Sequence, residues 1–320
     1  MPHTYLMACI LMFQRAGSIP WNQIFGTVPF CGVPNVIMTR KRSKRKTRNQ
    51  GPMLRECIIV GGKASGGHIL GKTRDRNYVP RVRVIREVTP EGLEIVYMHD
   101  LDTDYMEGMN SNGIGIVNAA LLVGDDEKAV KGKLSSDDGP RMKHALKKGK
   151  LSDCIKSLVS YKNGIKGHTM VGSPKSLYSI EMTSKHNPVV KKLDPNTGFD
   201  IRTNHGEEHP GAGYTPERKP DDFLSSKIRK ATAEMELTDE DDYENVMPKL
   251  AQQNFDTGSN YNMLRSTDNM RSASQVMMHL DNMEFILYLI PDECEYQGFQ
   301  DDTPDDYSPK INVRIEEYVE

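Results

Sequence analysis

A cysteine followed by two short strand-like segments constrains the fold of this chain more than any other feature. From Cys57 the sequence reads Cys-Ile-Ile-Val-Gly-Gly-Lys-Ala-Ser-Gly-Gly-His-Ile-Leu-Gly-Lys-Thr-Arg-Asp. Apolar residues on either side of a Gly/Ser cluster are typical of two strands joined by a turn. The carboxylate of Asp75 follows the thiol by eighteen residues. The stretch therefore predicts a strand, a turn and a second strand, with a thiol where the first begins and an acid where the second ends.

Cys57 has the layout of a nucleophile that could become a new N-terminus. A cut between Glu56 and Cys57 would free an α-amine that titrates at about pH 7 to 8. Such an amine can act as the general base for the thiol of the same residue. One residue would then supply both the nucleophile and the base.

Composition and charge exclude several classes of protein. The 320 residues are 37% hydrophobic, which is enough for one substantial core or two small ones. The formal net charge of -2 hides an uneven distribution, because residues 1–56 contain nine Lys or Arg and one acid. That leaves 33 basic and 43 acidic residues from position 57 onward. Such an acidic body argues against nucleic acid as its partner and favours a basic substrate.

Cysteine usage and hydropathy predict a cytoplasmic protein without a membrane span. The five cysteines show neither a CxxC pair nor zinc-binding spacing, so no disulfide framework or metal site is predicted. The sequence has no run of eighteen apolar residues. The apolar stretch Met1–Phe13 lacks the basic segment and the cleavage site of a secretory signal.

Residues 1–56 are predicted to be a disordered leader, and residues 57–320 a single catalytic domain. The leader contains a basic run from Arg40 to Arg48, which fits a solvated linker or a patch for nuclear import or nucleic acid. Two origins of the segment stay open. It is either a propeptide removed before Cys57 or an incorrect extension of a chain that starts at Met53.

The pattern after Cys57 predicts strands, then helices, then strands again, which is typical of an α+β fold. Helical spacing is found at 139–148, 151–161 and 224–235. Strand-like segments are found at 57–61, 68–73, 82–88, 93–98, 113–122, 168–171, 176–182, 189–193, 274–280 and 284–290.

A phosphate-binding pattern, G-x-x-x-x-G-K-[ST], is matched by Gly66–Thr73. That pattern binds phosphate only where the Lys-Thr pair opens a helix, whose N-terminal amides face the ligand. Here strand-like residues follow instead, with Pro80 close behind. A nucleotide-binding protein is therefore a weaker alternative.

Four motifs in a fixed order resemble the cysteine branch of the Ntn hydrolases, which includes penicillin V acylase, bile salt hydrolase and isopenicillin-N acyltransferase. They begin at Cys57, Gly108, Arg202 and Ser225, and read Cys-Ile-Ile-Val, Gly-Met-Asn-Ser-Asn-Gly-Ile-Gly-Ile-Val-Asn, Arg-Thr-Asn-His and Ser-Ser-Lys-Ile-Arg. The resemblance implies a four-layer αββα sandwich of two mainly antiparallel sheets between helices. It also implies maturation by autoproteolysis.

The resemblance assigns roles to individual residues. Cys57 matches the nucleophile, and Asp75 matches the carboxylate that holds the α-amine. Asn204 matches an asparagine whose amide donates to the oxyanion. Lys72 and Thr73 depart from the arginine and asparagine common at their positions, and lysine cannot make a planar bidentate contact, so recognition of a substrate carboxylate is not implied.

Two further assignments rest on looser matches. Asn118 lies two residues from a second oxyanion asparagine, an offset that preserves the face of a strand. Arg229 closes the Ser-Ser-x-x-Arg element, whose guanidinium lies close to the nucleophile, with Arg265 as the alternative. His205 is expected to be structural. Each candidate also has an ordinary explanation, such as a buried cysteine, a turn asparagine or a helix-surface arginine.

The predicted function is hydrolysis or acyl transfer of a linear N-acyl amide through a thioester on Cys57. The partner is a small-molecule substrate, no cofactor is required, and a homo-oligomer is compatible with the sequence. Three segments are expected to line the acyl pocket: 63–67, 100–109 and 209–220. A non-catalytic scaffold of the same fold is the main alternative.

Overall fold

Two large β-sheets dominate the computed structural model, which describes residues 55–121, 137–160, 164–194, 196–256 and 258–318. Apart from Arg55 and Glu56, the predicted leader and its basic run lie outside these residues. The smaller sheet has six strands, in spatial order β10 (Asp200–Arg202), β1 (Arg55–Ala64), β2 (Gly67–Arg76), β11 (Arg271–His279), β12 (Glu284–Leu289) and β14 (Asn312–Glu317).

The larger sheet has eight strands, and four helices complete the described part of the chain. Its spatial order is β13 (Glu295–Asp302), β3 (Arg81–Val88), β4 (Glu94–Asp100), β5 (Tyr105–Asn110), β6 (Gly115–Ala119), β7 (Gly167–Ser173), β8 (Ser176–Met182) and β9 (Val189–Lys192). The helices are α1 (Asp138–Leu146), α2 (Leu151–Leu158), α3 (Pro220–Glu236) and α4 (Tyr243–Leu250).

Three buried apolar clusters define four layers. The central cluster joins side chains of both sheets, including Leu70 and Val276 of the smaller sheet and Val96 of the larger. A second cluster packs α1 and α2 against the outer face of the larger sheet, and a third packs α3 and α4 against the outer face of the smaller one. The predicted α+β fold, an αββα sandwich, is confirmed.

The hairpin of β1 and β2 positions the candidate nucleophile. Its strands pair antiparallel from Arg55 opposite Arg76 to Ala64 opposite Gly67. Side chains alternate between the faces of a strand, so Cys57 and Ile59 belong to the cluster between the sheets, whereas Ile58 belongs to the cluster under the helices. Both faces of β1 are buried, which explains its continuous apolar run.

The phosphate-binding pattern is not realised. Lys72 and Thr73 lie within β2 and no helix follows them. The Lys72 ammonium is buried, 2.7 Å from the Glu107 carboxylate. Phosphate binding needs a loop followed directly by a helix whose N-terminal amides face the ligand, and here the loop is followed by a strand.

Each predicted strand and helix overlaps an observed one, but five elements were missed. The residues of β5 were expected to belong to a loop at 100–109. Its polar residue Glu107 is buried because Lys72 and Arg74 neutralise it, so the sequence does not read as an apolar strand. β10 is three residues long, and α4, β13 and β14 lie among polar residues that mask their periodicity.

None of the helices in the described ranges is both long enough and apolar enough to cross a membrane.

Gly108 provides a test of the packing within the larger sheet. A Cβ atom at Gly108 would lie 2.2 Å from the Val96 carbonyl oxygen and 2.6 Å from Tyr97 Cα, and neither backbone atom can rotate away. We expect Gly108→Ala to lower the free energy of unfolding by about 3 kcal/mol, measured by denaturant titration.

Gly211→Ala is the matched control, because its Cβ would meet no atom within 4 Å. It should change the free energy of unfolding by less than about 0.5 kcal/mol. Equal effects of the two substitutions would contradict the close approach of β4 and β5 at Gly108.

Candidate functional site

The Cys57 thiol is buried between the two sheets, near the start of β1. Its exposed fraction is 3%, and the Arg76 guanidinium lies 3.9 Å from its sulfur. Arg76 is fully buried as well and comes from the facing end of β2. A cation within reach of the sulfur stabilises negative charge that develops there.

Asn204 holds the backbone nitrogen of Cys57. β10 pairs with β1 only as far as Arg202, which lies opposite Ile59. Continued by two residues, the same register would place Asn204 opposite Cys57, but its backbone N–H donates to Ser226 Oγ of α3 instead. The Asn204 side-chain oxygen accepts the Cys57 N–H at 3.2 Å. A side chain therefore replaces the missing strand partner at this nitrogen.

The amide group of Asn204 is oriented by its other contacts. Its nitrogen donates to the carbonyl of Ala120 at 3.0 Å. Its oxygen also accepts from the Arg229 guanidinium at 3.2 Å. In this orientation the side-chain oxygen contacts the Cys57 nitrogen, and the amide N–H that was predicted to donate to the oxyanion donates to Ala120.

The Ser-Ser-x-x-Arg element lies on α3 with its polar side chains buried. Ser226 and Arg229 are three residues apart, so they share a face of the helix and both contact Asn204. Ser225 accepts from the Arg265 guanidinium at 2.7 Å. The predicted arginine and its alternative are therefore brought to the same site.

Glu56 and Asp75 lie side by side under α3, between these two arginines. They are register partners in the hairpin and project from the face opposite to Cys57. Glu56 Oε2 lies 2.7 Å from Arg265 and 3.1 Å from Arg229. Asp75 Oδ2 lies 3.1 Å from Arg229, and Asp75 Oδ1 accepts from Ser272 Oγ at 2.7 Å.

Charges within this cluster compete with burial. Burial lowers the pKa of Arg265, but the Glu56 and Asp75 carboxylates raise it more. Burial lowers the pKa of Arg229, and the charge of Arg265 lowers it further. The contact predicted between Asp75 and the Cys57 nitrogen is made by Asn204 instead.

Arg76 also contacts the peptide bond that precedes Cys57. One of its guanidinium nitrogens is 3.3 Å from the Glu56 carbonyl oxygen and 2.7 Å from the Asp75 carbonyl oxygen. The same nitrogen is the one within 3.9 Å of the thiol. Arg76 therefore contacts both the sulfur that would attack Glu56 and the oxygen that would carry the negative charge of the intermediate.

A second buried charge network lies between the sheets, on the face of the hairpin that carries the thiol. Arg74 donates to Glu107 at 2.9 Å and to Asp100 at 2.8 Å. Lys72 pairs with Glu107, and burial lowers the Lys72 pKa despite that partner. Burial raises the pKa of Glu107, but Lys72 and Arg74 lower it more, so the net shift is downward. These ion pairs hold the Lys72 and Arg74 side chains in place on the face of β2 that Cys57 shares.

Asn118 is not brought to the thiol. It lies on β6 between Val117 and Ala119, whose side chains join the cluster between the sheets, so it projects from the opposite face. Its side-chain nitrogen donates to the carbonyl of His168 and to Thr169 Oγ1, both at 2.9 Å. Its side-chain oxygen accepts from Tyr105 at 3.2 Å.

A cavity of about 360 Å³ ends on Glu56, one residue before the thiol. Tyr214 and Lys219 of the predicted 209–220 segment line it. Residues 63–67, which were also expected to line the pocket, do not line this cavity. The hairpin turn lies eight strand positions from Cys57, roughly 26 Å along the strand. The described residues contain no group of three His, Cys, Asp or Glu side chains that could hold a metal ion.

Sequence reasoning missed Glu56, Arg76 and Tyr214. Arg76 belongs to the alternating cations Lys72, Arg74 and Arg76, and such alternation in a buried strand indicates one charged face. Glu56 and Tyr214 carry no comparable signal. They meet only in the folded chain, where Tyr214 donates to Glu56 Oε1 at 3.0 Å.

Comparison with known proteins gives little beyond this geometry. No protein-family model and no curated protein matches the chain. A solved structure titled "Structure of Penicillin V acylase from Agrobacterium tumefaciens" is 9% identical, with a TM-score of 0.39. That match covers 73% of this chain and 86% of the other. At this level of likeness the comparison assigns neither an activity nor a substrate.

Stability at acid pH should depend on His168, which anchors the Asn204 segment through a 2.8 Å contact with the His205 carbonyl. Burial lowers the pKa of His168 to about 4, against the raising effect of Glu181. Between about pH 6.5 and 4 the unfolded chain binds a proton that the folded chain does not. Stability should therefore fall through this window as pH falls, by on the order of 3 kcal/mol.

Denaturant titrations across this pH range on the wild type and on His168→Gln provide the measurement. The variant lacks the imidazole, so its stability should fall less steeply. Identical pH profiles would show that His168 does not govern the loss.

Proposed function

We propose that this chain is an amidohydrolase or acyltransferase whose nucleophile is an N-terminal cysteine, exposed by cleavage between Glu56 and Cys57. The observation that carries the proposal is the set of contacts at that peptide bond. Arg76 lies 3.3 Å from the Glu56 carbonyl oxygen and 3.9 Å from the Cys57 sulfur, and Asn204 accepts from the Cys57 nitrogen at 3.2 Å. The oxyanion, the nucleophile and the leaving nitrogen each have a polar partner.

The resemblance to the cysteine Ntn hydrolases supports the same reading. Three of its four motifs, those at Cys57, Asn204 and Arg229, converge on one site although they are far apart in sequence. The fourth motif contributes Gly108 and Asn118, which serve the sheet rather than the thiol.

Maturation would proceed by transfer of the Glu56 acyl group from nitrogen to sulfur. The thiol sulfur attacks the Glu56 carbonyl carbon, and Arg76 stabilises the oxyanion. The bond to the Cys57 nitrogen then breaks, and the proton lost by the thiol is balanced by one gained at that nitrogen. Water attacks the resulting thioester, the carbonyl carbon becomes a carboxylate, and the sulfur is released. The mature chain would begin at Cys57.

Turnover would use the α-amine that this cleavage frees. The amine takes the thiol proton while sulfur attacks the carbonyl of a small-molecule N-acyl amide. The protonated amine then gives its proton to the leaving nitrogen. Water or a second amine attacks the thioester and restores the thiol, so the scheme serves hydrolysis and acyl transfer alike. The steps use the thiol and α-amine of Cys57 with water or a second amine, and require no cofactor.

The full wild-type chain should yield a product that begins at Cys57, whereas Cys57→Ala should keep the residues before it. Intact mass and N-terminal sequencing of both purified proteins measure this. Trp21 is the only tryptophan, so the processed chain should also lose indole absorbance.

Cys154→Ala is the matched control. It removes another fully buried cysteine, on α2 and away from the site, and should be processed like the wild type. An uncut wild type would reject the proposal and favour a non-catalytic scaffold, and a cut Cys57→Ala would reject self-cleavage by this thiol.

Arg76→Met should slow self-cleavage by about 10² to 10³-fold, because it removes the donor to the Glu56 carbonyl. The rate is measured as the disappearance of precursor after in vitro translation. Arg76→Lys should recover part of the rate, since a cation is restored without the planar guanidinium.

Arg74→Met controls for the loss of a buried arginine on the same face of β2. Arg74 pairs with Asp100, as Arg76 does, but its described contacts do not include the Glu56 carbonyl. It should cleave much closer to the wild-type rate. Only variants with a cooperative melting transition are compared, and equal rates for the two methionine variants would remove Arg76 from the mechanism.

A further inference from the structure

The side chain of Glu56 occupies a binding site of its own, on the face of β1 opposite to the thiol. Glu56 is 3% exposed, although it is the last residue before the proposed cut. Its carboxylate contacts Arg265 at 2.7 Å, Arg229 at 3.1 Å and the Tyr214 hydroxyl at 3.0 Å. The cavity of about 360 Å³ opens onto this carboxylate.

The charges of the site balance only while Glu56 is present. Two buried arginines face two carboxylates, those of Glu56 and Asp75. Cleavage after Glu56 would release its carboxylate with the leader and leave Arg229 and Arg265 facing Asp75 alone. Removal of one partner from a buried ion pair is strongly unfavourable, so the emptied site would select an anion.

Charges on the cavity wall modify this preference without reversing it. Asp222 is half-buried, and burial and the Glu56 charge raise its pKa. Lys219 lies 3.8 Å from the Asp222 carboxylate and offsets its charge. Arg265, in contrast, points directly at the position of the Glu56 carboxylate.

The length of the Glu56 side chain sets the spacing of a suitable ligand. Three saturated carbons, Cα, Cβ and Cγ, separate its carbonyl carbon from its carboxylate carbon. In the proposed maturation, sulfur attacks that carbonyl while the carboxylate lies on Arg265. An acyl group of glutaryl length would reproduce both placements, whereas a succinyl group is one carbon short and an adipyl group one carbon long.

We infer that the mature enzyme uses this site to select monoamides of five-carbon dicarboxylic acids, such as glutaryl or α-glutamyl amides. The inference rests on the proposed function. Sulfur bonds to the acyl carbonyl, the amine leaves with a proton, and water releases the dicarboxylic acid and frees the thiol. The acidic body of the protein favours a basic substrate only at long range, because the two arginines determine the charge that the pocket accepts.

The substrate preference is measured on the self-processed wild type. Glutaryl-p-nitroanilide should be hydrolysed with a kcat/KM about 10²-fold above that of pentanoyl-p-nitroanilide, and the succinyl and adipyl analogues should lie between them. In Arg265→Met the ratio of glutaryl to pentanoyl should collapse toward one. A processed enzyme that hydrolyses the pentanoyl compound as well as the glutaryl one would overturn the inference and leave the proposed function standing.

A second measurement does not depend on cleavage. The full chain carrying Glu56→Ala and Cys57→Ala lacks the CH₂-carboxylate of Glu56 and cannot form the thioester. Acetate should raise its melting temperature saturably above that in sodium chloride of equal ionic strength, and acetamide should not. Arg265→Met in the same background should abolish the response.

The two measurements separate the hypotheses. A wild type that stays uncut overturns the proposed function, and the acetate titration then decides the carboxylate site by itself. An absent acetate response in a folded Glu56→Ala, Cys57→Ala chain overturns that site.

Discussion

The register between β1 and β2 is the constraint on which the rest of the site depends. Side chains alternate across a strand, so this register turns Cys57 toward the opposite sheet and Glu56 toward α3. A slip of one residue would exchange the two faces, placing the Glu56 carboxylate between the sheets and the thiol against Arg229. Isoleucines lie on both faces, Ile58 under the helices and Ile59 between the sheets, so the apolar pattern alone does not fix the register. The contacts of Glu56 with Arg229 and Arg265 oppose the slip, because it would separate these charges.

Buried ion pairs such as those under α3 are a costly means of stabilising a fold. Ion pairs removed from water lose most of their attraction to desolvation, and apolar residues of similar volume often stabilise a protein as well or better. Arg229, Arg265, Asp75 and Glu56 nevertheless form one cluster within a sandwich that already has three apolar cores. A buried charge cluster beside a candidate cleavage site is better explained by what it binds than by what it adds to stability.

The sequence predicted the layers and part of the site, and the division has a physical cause. Cys57, Asn204 and Arg229 were found because each lies in a short local pattern. Asp75 lies near the end of the second strand, as the pattern predicted, but the tight turn at Ser65 and Gly66 pairs Cys57 with Arg74 rather than with Asp75. If the turn used one residue more of the same sequence, Cys57 would pair with Asp75, and the two strands would share a different face. A strand pattern does not determine turn length.

The contacts around the Cys57 nitrogen also explain how a freed amine there could serve as a base. The Asn204 oxygen accepts from that nitrogen and from Arg229, while Arg76 lies on the sulfur side. Cations on both sides disfavour a third positive charge, so a freed amine at this position would be favoured in its neutral form, with a lone pair for the thiol proton. Loss of the Glu56 carboxylate would make the surroundings more positive still. The cut that creates the base would therefore also strengthen the field that keeps it unprotonated.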